Sequence, residues 1–323
     1  MDEFVTPRVI LSKCIEHDHC RYNGGIVSSR VVKTLEPYVE YVTVCPEVEI
    51  GLGVPRDSLR LVQKGSGPRL IQSQNKKDYT EKMEDFADGF LAGLQGVDGA
   101  VLKNRSPSCG TKDVRIYAVT DNSPVVDKGP GAFGAKVKEK LGGKPIENEG
   151  RLRSHKIREK FYTSLFAVAR YRNGVENEPR MEDLIEFHAR HKYILLANDE
   201  GRLRKMGRLV ANDEGRDVED LIEPYGENLS AALRNEVNPN AHVNVLQHAY
   251  GYFSDDLNDD EKSLFFEYVE NYRAGKVPLS TLISMVRSWI RRFNQEYLAD
   301  QYYFNPYPSD LADISDSGKG VDL

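Results

Sequence analysis

The sequence predicts an α/β N-terminal domain with a mostly parallel, Rossmann-like sheet, followed by an all-α C-terminal domain. Two observations lead to this fold class. Up to about residue 150, short β-branched runs alternate with segments of helical periodicity, which is typical of βαβ units with right-handed crossovers. From about residue 151 only helical periodicity continues. We therefore expect one domain at residues 1–150, a second at 151–311 and a polar tail at 312–323.

The elements follow from local patterns in chain order. The predicted strands are residues 8–15, 38–45, 98–103, 114–120 and 144–147, and the predicted helices between them are 27–36, 78–95 and 131–141. Residues 50–77 are rich in glycine, proline and basic residues, and they are predicted to form one long loop. The helices predicted for the second half are 154–172, 180–197, 201–211, 217–235, 240–253, 258–273 and 278–294. Asn258 or Asp259 is the expected N-cap of the helix at 258–273, and the tail from Asp310 is expected to fray.

The composition excludes several classes of protein. With 40% hydrophobic and 29% charged residues, the chain of 323 residues is not wholly disordered. It has no run of about 18 apolar residues and no basic segment followed by an apolar core at its start, so we expect a cytoplasmic protein without a membrane partner. A net charge of −6 does not indicate a dedicated nucleic-acid binder. The basic run from Arg151 to Arg172 could still form a local patch.

The cysteines are the first sign of chemistry. Cys14, Cys20, Cys45 and Cys109 all lie in the first third of the chain, and a cytosolic location does not favour disulfides. Three of them, Cys14, Cys45 and Cys109, fall at or just past the carboxyl ends of three different predicted strands. Ligands of open α/β sheets bind outside these strand ends, so we expect the three thiols to converge.

The residues alone leave three interpretations of these cysteines open. Structural zinc takes four nitrogen or sulfur ligands, and Cys14 and Cys20 with His17 and His19 between them form the nearest approach to such a set. An iron–sulfur cluster held by only three thiolates would keep one iron open to a substrate. The third interpretation is that the cysteines are small buried hydrophobic residues.

Polar residues beside the cysteines add candidate catalytic groups. Glu47 follows Cys45 by two residues and could transfer protons if it is partly buried. Ser106 and Ser108 precede Cys109 in a tight turn, where either hydroxyl could hydrogen-bond a substrate carbonyl. The same segments offer cations and an aromatic ring at Arg21, Tyr22 and Arg56.

Three sequence blocks resemble the thiouracil desulfidase (TudS-like) family. They are C-x5-C-R-Y-N-G from Cys14, C-P-E-V-x-x-G-L-x-x-P-R from Cys45 and K-x-x-S-P-S-C-G from Lys103. The resemblance implies a 4Fe–4S cluster held by Cys14, Cys45 and Cys109. It also implies an enzyme that removes sulfur from a thiolated pyrimidine without redox chemistry. Glu47 and either Ser106 or Ser108 would assist.

The second half resembles the YbgA-like helical domain, on H-A-R-H-K at residues 188–192 and on residues 244–253 and 302–308. The fusion of both domains is similar to tRNA 4-thiouridine desulfidases (RudS-like), which implies 4-thiouridine in tRNA as the substrate. The candidate substrate or RNA contacts are Arg21, Tyr22, Arg56, Arg151, Arg153, Lys156, Arg158, His188, Arg190 and Lys192. Two alternatives stay open: a desulfidase for free 2-thiouracil, and a non-catalytic iron–sulfur sensor or tRNA-binding module.

Overall fold

The structure, a computed structural model, describes residues 4–65, 67–120, 123–313 and 315. The chain forms two compact units, Met1–Ala169 with Pro308–Leu323 and Arg170–Tyr307. The first unit is α/β and the second is helical, so the predicted fold class is confirmed. The first unit extends past residue 150, and the predicted domain boundary at that residue stays a prediction. Within the described ranges, no helix is long and apolar enough to span a bilayer.

The elements follow each other in a regular order. The strands are β1 (Arg8–Ser12), β2 (Glu40–Val44), β3 (Leu59–Lys64), β4 (Gly67–Gln72), β5 (Gly99–Leu102), β6 (Val114–Tyr117), β7 (Val125–Gly129) and β8 (Ile146–Asn148). The helices up to residue 171 are α1 (Arg30–Leu35), α2 (Pro46–Glu49), α3 (Thr80–Ala92), α4 (Ala132–Lys140) and α5 (His155–Tyr171). The later helices are α6 (Met181–Asn198), α7 (Glu200–Ala211), α8 (Glu219–Arg234), α9 (Pro239–Gly251), α10 (Asp259–Arg273), α11 (Leu279–Arg292) and α12 (Glu296–Ala299).

The main sheet is parallel and has the strand order β2-β1-β5-β8. Its inner strand β1 is an apolar run in which Val9, Ile10 and Leu11 are fully buried, because both faces of a parallel sheet are covered. Strands β2, β1 and β5 are direct neighbours, so their carboxyl ends meet at one edge. That edge carries the segments with the cysteines.

A second sheet corrects the prediction of one long loop at residues 50–77. Its order is β4-β3-β6-β7, with an antiparallel β3–β4 hairpin inside the supposed loop. Leu59, Leu61 and Leu70 are buried from this hairpin, while glycine, proline and basic residues between them obscure the alternation in the sequence. The predicted strand at 114–120 exists as the shorter β6, but it belongs to this second sheet.

The helical unit matches its predicted helices closely. Each helix predicted from 180–197 to 278–294 is present, with its ends displaced by at most two residues. Asn258 is the N-cap of α10: its side chain accepts the backbone N–H of Glu261, whose carboxylate in turn accepts the N–H of Asn258. This capping box fixes the start of the helix.

The described part of the tail is hydrogen-bonded to the first unit, and the expectation that the tail frays stays a prediction. The Tyr38 hydroxyl donates to Asp310 at 2.9 Å. The buried Arg158 guanidinium donates to the carbonyl oxygens of Asp313 and Ser315, the latter at 2.7 Å. Residues 314 and 316–323 of the predicted tail lie outside the described residues.

Candidate active site

Four buried thiols line one cavity of about 940 Å³ in the first unit. Cys14 follows β1, Cys45 follows β2 directly, and Cys109 lies in the segment after β5. The prediction that strand ends would bring Cys14, Cys45 and Cys109 together is therefore met by their position in this cavity. Cys20 lies on the same wall.

The thiols perturb each other's protonation. A hydrogen bond with Cys14, followed by burial, raises the pKa of Cys20 to about 11, although Cys45 acts in the opposite direction. The hydrogen bond with Cys20 is the main cause that raises the pKa of Cys45. Burial raises the pKa of Cys109. Thiols with raised pKa values stay protonated at neutral pH, so a metal centre that takes them as thiolates must release protons on binding.

Glu47 lies at the start of the short helix α2, where it is held from two sides. Its Oε1 accepts the Ser108 hydroxyl at 2.8 Å, and its Oε2 accepts the Arg56 Nε–H at 2.8 Å. Only 12% of its side chain is exposed, and it lines the cavity. Glu47 is thus partly buried, as expected, and its carboxylate accepts hydrogen bonds from a hydroxyl and from a guanidinium.

The turn that carries Cys109 is fixed by its own serine and by a helix. The Ser106 hydroxyl accepts the backbone N–H groups of Ser108 and Cys109 at 3.2 and 3.1 Å. The free N–H groups at the start of α4 donate to the turn: Ala132 N to Pro107 O at 3.0 Å and Gly134 N to Ser108 O at 2.9 Å.

Two glycines allow this close approach. A Cβ atom at Gly131 would lie 2.5 Å from the Ser108 carbonyl oxygen, and one at Gly134 would lie 2.3 Å from the Gly110 carbonyl oxygen. Sequence reasoning missed both positions as parts of the site. The sequence shows two glycines at the start of a predicted helix, but it does not show that the turn of Cys109 packs against them.

The two candidate serines differ in what they can reach. Ser108 is fully buried, does not line the cavity and gives its hydroxyl to Glu47. Ser106 lines the cavity. A direct hydrogen bond to substrate is therefore open to Ser106, whereas Ser108 is placed to hold Glu47; both roles stay predictions.

Ser12 is a further residue that sequence reasoning missed. It is the last residue of β1, it is 1% exposed, and it lines the cavity. Its hydroxyl accepts the Lys103 backbone N–H at 2.9 Å and has a hydrogen bond with Cys109 that acts to lower the thiol pKa against the effect of burial. The available signal was a serine two residues before Cys14, near the end of a predicted strand.

Basic side chains outnumber acidic ones along the cavity wall. The basic residues are Arg21, Arg56, Arg60, Lys103, Arg105, Arg115, Lys128 and Arg151, and the acidic residues are Glu47 and Asp113. Several are already paired: Arg151 with Glu147 at 2.9 Å, and Lys103 with the buried Glu149. The wall as a whole favours a ligand that carries negative charge.

The weaker candidates from the sequence fall into different environments. Arg21 lies 5.8 Å from the ring of Tyr22, and both line the cavity, with 46% of Tyr22 exposed. Arg153 and Lys156 are exposed. Arg158 is 3% exposed and binds carbonyl groups of Leu152 and of the tail, so RNA cannot reach it; that expectation is corrected.

The three candidate RNA contacts on α6 in the helical unit also lie in different environments. Lys192 is exposed, and Arg190 pairs with Glu186 at 3.3 Å and lies over the ring of Tyr302. His188 hydrogen-bonds the Tyr225 hydroxyl at 3.0 Å. Burial and Lys192 lower the pKa of His188 to about 4, so it is uncharged at neutral pH. It does not supply the cation that the sequence suggested.

The zinc alternative lacks the required geometry. His17 points at Glu36 and the ring of Tyr41, and His19 hydrogen-bonds the Gly24 carbonyl at 3.2 Å. Among the described residues, no three His, Cys, Asp or Glu side chains are grouped so that they could hold a metal ion. A cluster differs from a single ion because each thiolate binds a different iron, so its ligands surround a space rather than a point. Three thiols on the wall of one cavity fit that requirement.

Comparisons with known proteins match the two parts of the chain separately. Residues 9–149 match the family 2-thiouracil desulfurase, and residues 192–308 match a family described as a protein of unknown function, DUF1722. The chain is 28% identical over 126 residues to the uncharacterized protein YbgA of Escherichia coli (strain K12), which covers 39% of this chain and 75% of that protein. It is 29% identical over 111 residues to the uncharacterized protein YbbK of Bacillus subtilis (strain 168), which covers 32% and 73% respectively.

A solved structure is also similar. It is a 4Fe-4S-dependent thiouracil desulfidase, TudS, with a TM-score of 0.35 and 26% identity, which covers 46% of this chain and 93% of that chain.

Proposed function

We propose that this chain, which joins a 2-thiouracil desulfurase region to a DUF1722 region, is an iron–sulfur-dependent desulfidase for thiolated uracil. The observation that carries the proposal is the shared cavity of Cys14, Cys45, Cys109 and Glu47 at one edge of the main sheet. In the reaction, water oxygen replaces the sulfur on the ring and the sulfur leaves as sulfide. The ring carbon keeps its oxidation state and the sulfur leaves at the sulfide level, so no external reductant is needed.

The cofactor in this proposal is a 4Fe–4S cluster held by Cys14, Cys45 and Cys109. When bound, such a cluster supplies an iron without a protein ligand, which can act as a Lewis acid toward the substrate sulfur. Thiolates are the usual ligands of these clusters, and the three cysteines are themselves buried. The position of the three cysteines in the segments that follow neighbouring strands supports this set of ligands.

Glu47 is proposed as the group that moves protons. Oε1 of Glu47 accepts one hydrogen bond from the protein, that of the Ser108 hydroxyl, which leaves a second lone pair on this oxygen. Glu47 takes the two protons of the attacking water in turn and passes them to the leaving sulfur, so that a ring carbonyl and hydrogen sulfide form. Ser106 hydrogen-bonds a carbonyl of the pyrimidine, and Ser108 holds Oε1 of Glu47.

The finer substrate in the proposal is 4-thiouridine in tRNA. The basic wall of the cavity supports a substrate with phosphate groups, since free 2-thiouracil carries none. Exposed cations at Arg153, Lys156 and Lys192 are candidate phosphate contacts. Free 2-thiouracil is the alternative substrate.

The test is an anaerobic turnover assay on protein reconstituted with iron and sulfide. It compares tRNA containing 4-thiouridine, free 4-thiouridine and free 2-thiouracil, and it records sulfide release and loss of thiobase absorbance. We expect tRNA to be the best substrate. A loaded cluster without sulfide from any of the three contradicts the enzyme and favours a sensor or binding module.

Glu47→Gln and Glu49→Gln form a matched pair on α2, because Glu49 is exposed. We expect Glu47→Gln to lower turnover by about 10²-fold or more with the cluster absorbance intact. Glu49→Gln is expected to keep turnover. Equal rates in both variants would remove Glu47 from the reaction.

A further inference from the structure

The side chain of Arg56 is bound by other groups of the protein and is not free to bind a ligand. Its side chain is 5% exposed, and its backbone N–H donates to the Tyr22 carbonyl at 2.8 Å. The residue thus ties the segment after α2 to the segment after Cys20. The sequence suggested Arg56 as a substrate or RNA contact, whereas in the structure its guanidinium binds the carboxylate of Glu47.

The donors of Arg56 are mostly used by the protein. Nε and Nη2 both lie 2.8 Å from Oε2 of Glu47. Nη2 also donates to the Cys20 carbonyl at 3.0 Å, and Nη1 donates to the Gly53 carbonyl at 3.1 Å. A guanidinium in this arrangement has little capacity left for a substrate phosphate.

These contacts give Glu47 a fixed orientation. Ser108 alone would hold only Oε1, and the carboxylate could rotate about that single hydrogen bond. Arg56 holds Oε2 and prevents this rotation. The Cys20 carbonyl that binds Arg56 also accepts the Cys45 thiol at 3.7 Å, so the same contacts connect Glu47 to the cysteine wall.

We propose that Arg56 is a positioning residue, which fixes the carboxylate of Glu47 at the cysteine cavity and acts on desulfuration through Glu47 alone. The proposal rests on the proposed function for the reaction that Glu47 serves. A lysine cannot replace this arginine, because its single ammonium group cannot bind Oε2 side-on and the Cys20 and Gly53 carbonyls at once.

The first test compares Arg56→Lys with Arg69→Lys. Arg69 lies on β4 and also bridges two carboxylates, Asp78 at 2.9 Å and Glu81 at 3.2 Å, but it does not line the cavity. We expect Arg56→Lys to lower kcat by about 10²-fold with little change in KM, because the reacting group is misplaced while substrate contacts stay. Arg69→Lys is expected to keep kcat. Iron content and cluster absorbance should be unchanged in both.

The second test asks whether Arg56 acts through Glu47. In protein that already carries Glu47→Gln, adding Arg56→Lys should cause no further loss of kcat, since the two residues form one unit. Additive losses would overturn the proposal. So would wild-type kcat in Arg56→Lys, or a loss of kcat that only follows a loss of iron.

A third measurement does not depend on turnover. Carbodiimide modification of Glu47, mapped by peptide mass spectrometry with exposed Glu49 as the internal reference, should become several-fold faster in Arg56→Lys. An unchanged ratio means that Arg56 does not hold Glu47 and overturns the proposal. If wild-type protein releases no sulfide but this ratio rises, the holding of Glu47 stands and the proposed reaction fails.

Discussion

The two units bury polar side chains for different purposes. In the first unit, one group of buried or nearly buried polar side chains lies at one edge of the main sheet, where Ser12, Glu47, Arg56 and Ser108 bind each other or line the cavity. In the helical unit, Gln301 braces the helices: its amide donates to the Ala189 carbonyl at 2.8 Å.

The apolar packing differs in the same way. The helical unit relies on aromatic contacts between helices, such as Tyr171 stacked on Tyr225 at 5.5 Å and Tyr250 stacked on Phe265 at 5.1 Å. The first unit leaves a cavity at its sheet edge that is walled by thiols and cations. Chemistry is therefore expected at the edge of the sheet, and a binding or structural role is expected for the helices.

The largest effect is expected when the thiols are removed, which tests whether the chemistry lies at the sheet edge of the first unit. We expect Cys14→Ser, Cys45→Ser and Cys109→Ser each to lose nearly all reconstituted iron, because a cluster with two protein ligands is poorly held. Cys20→Ser is the matched control on the same wall, and it should keep its iron. The measurement is the amount of iron and acid-labile sulfide per chain. If Cys20→Ser lost its iron while one of the other three variants kept it, Cys20 would replace that cysteine as a ligand.

The sequence predicts the elements of the helical unit more accurately than the strands of the first unit. The helices of the second unit repeat an apolar face over three to five turns and have caps such as Asn258, so both their presence and their ends are readable. The β3–β4 hairpin has six-residue strands in which Arg60, Arg69 and Pro68 interrupt the apolar positions. Such short strands are defined by pairing across the chain, which a local pattern does not contain.

The site was predictable in its chemistry and less so in its contacts. Cys45 and Glu47 are two residues apart, so their proximity is local and the sequence shows it. The Ser108–Glu47 and Arg56–Cys20 contacts join residues 61 and 36 positions apart, and only the folded sheet creates them. For this reason Arg56 looked like a substrate contact, and Ser12 was missed.

A smaller effect is expected from acid on the helical unit. His188 and His191 lie on α6 with pKa values lowered from 6.5 mainly by burial, to about 4 for His188. The unfolded chain binds protons below about pH 6.5 while these folded histidines do not, so the free energy of unfolding falls as pH falls through this window. For His188 the loss between pH 7 and pH 5 is about 2 kcal/mol.

Trp289, the single tryptophan, lies on α11 and reports on this unit. Urea unfolding of the full chain followed by its fluorescence, at pH 7 and pH 5, gives the measurement. His188→Gln should reduce the difference between the two pH values. A variant with the full wild-type difference would show that His188 is not the group responsible.

A comparable or slightly smaller effect is expected at the turn of Cys109. Gly134→Ala places a Cβ atom against the Gly110 carbonyl oxygen, which should destabilise the first unit by about 1–3 kcal/mol and displace the turn. Gly89→Ala is the matched control in α3, because a Cβ there meets nothing within 4 Å. Hydrogen exchange at residues 106–110 and iron content should change only in Gly134→Ala; equal exchange in both variants would contradict the close packing.

The smallest effect tests whether local signals govern the helical unit. Asn258→Ala removes the side chain that accepts the Glu261 N–H at 2.9 Å, and the expected cost is about 1 kcal/mol of unfolding free energy. Glu267→Ala, at an exposed position in the middle of α10, is the control and should change little, because alanine and glutamate have similar helix propensity. Both are measured by urea unfolding through Trp289 fluorescence. If Asn258→Ala costs no more unfolding free energy than Glu267→Ala, the packing of Phe265 and Val269 stabilises this helix and the cap does not. The N-cap would then mark the start of the helix in the sequence without stabilising it in the fold.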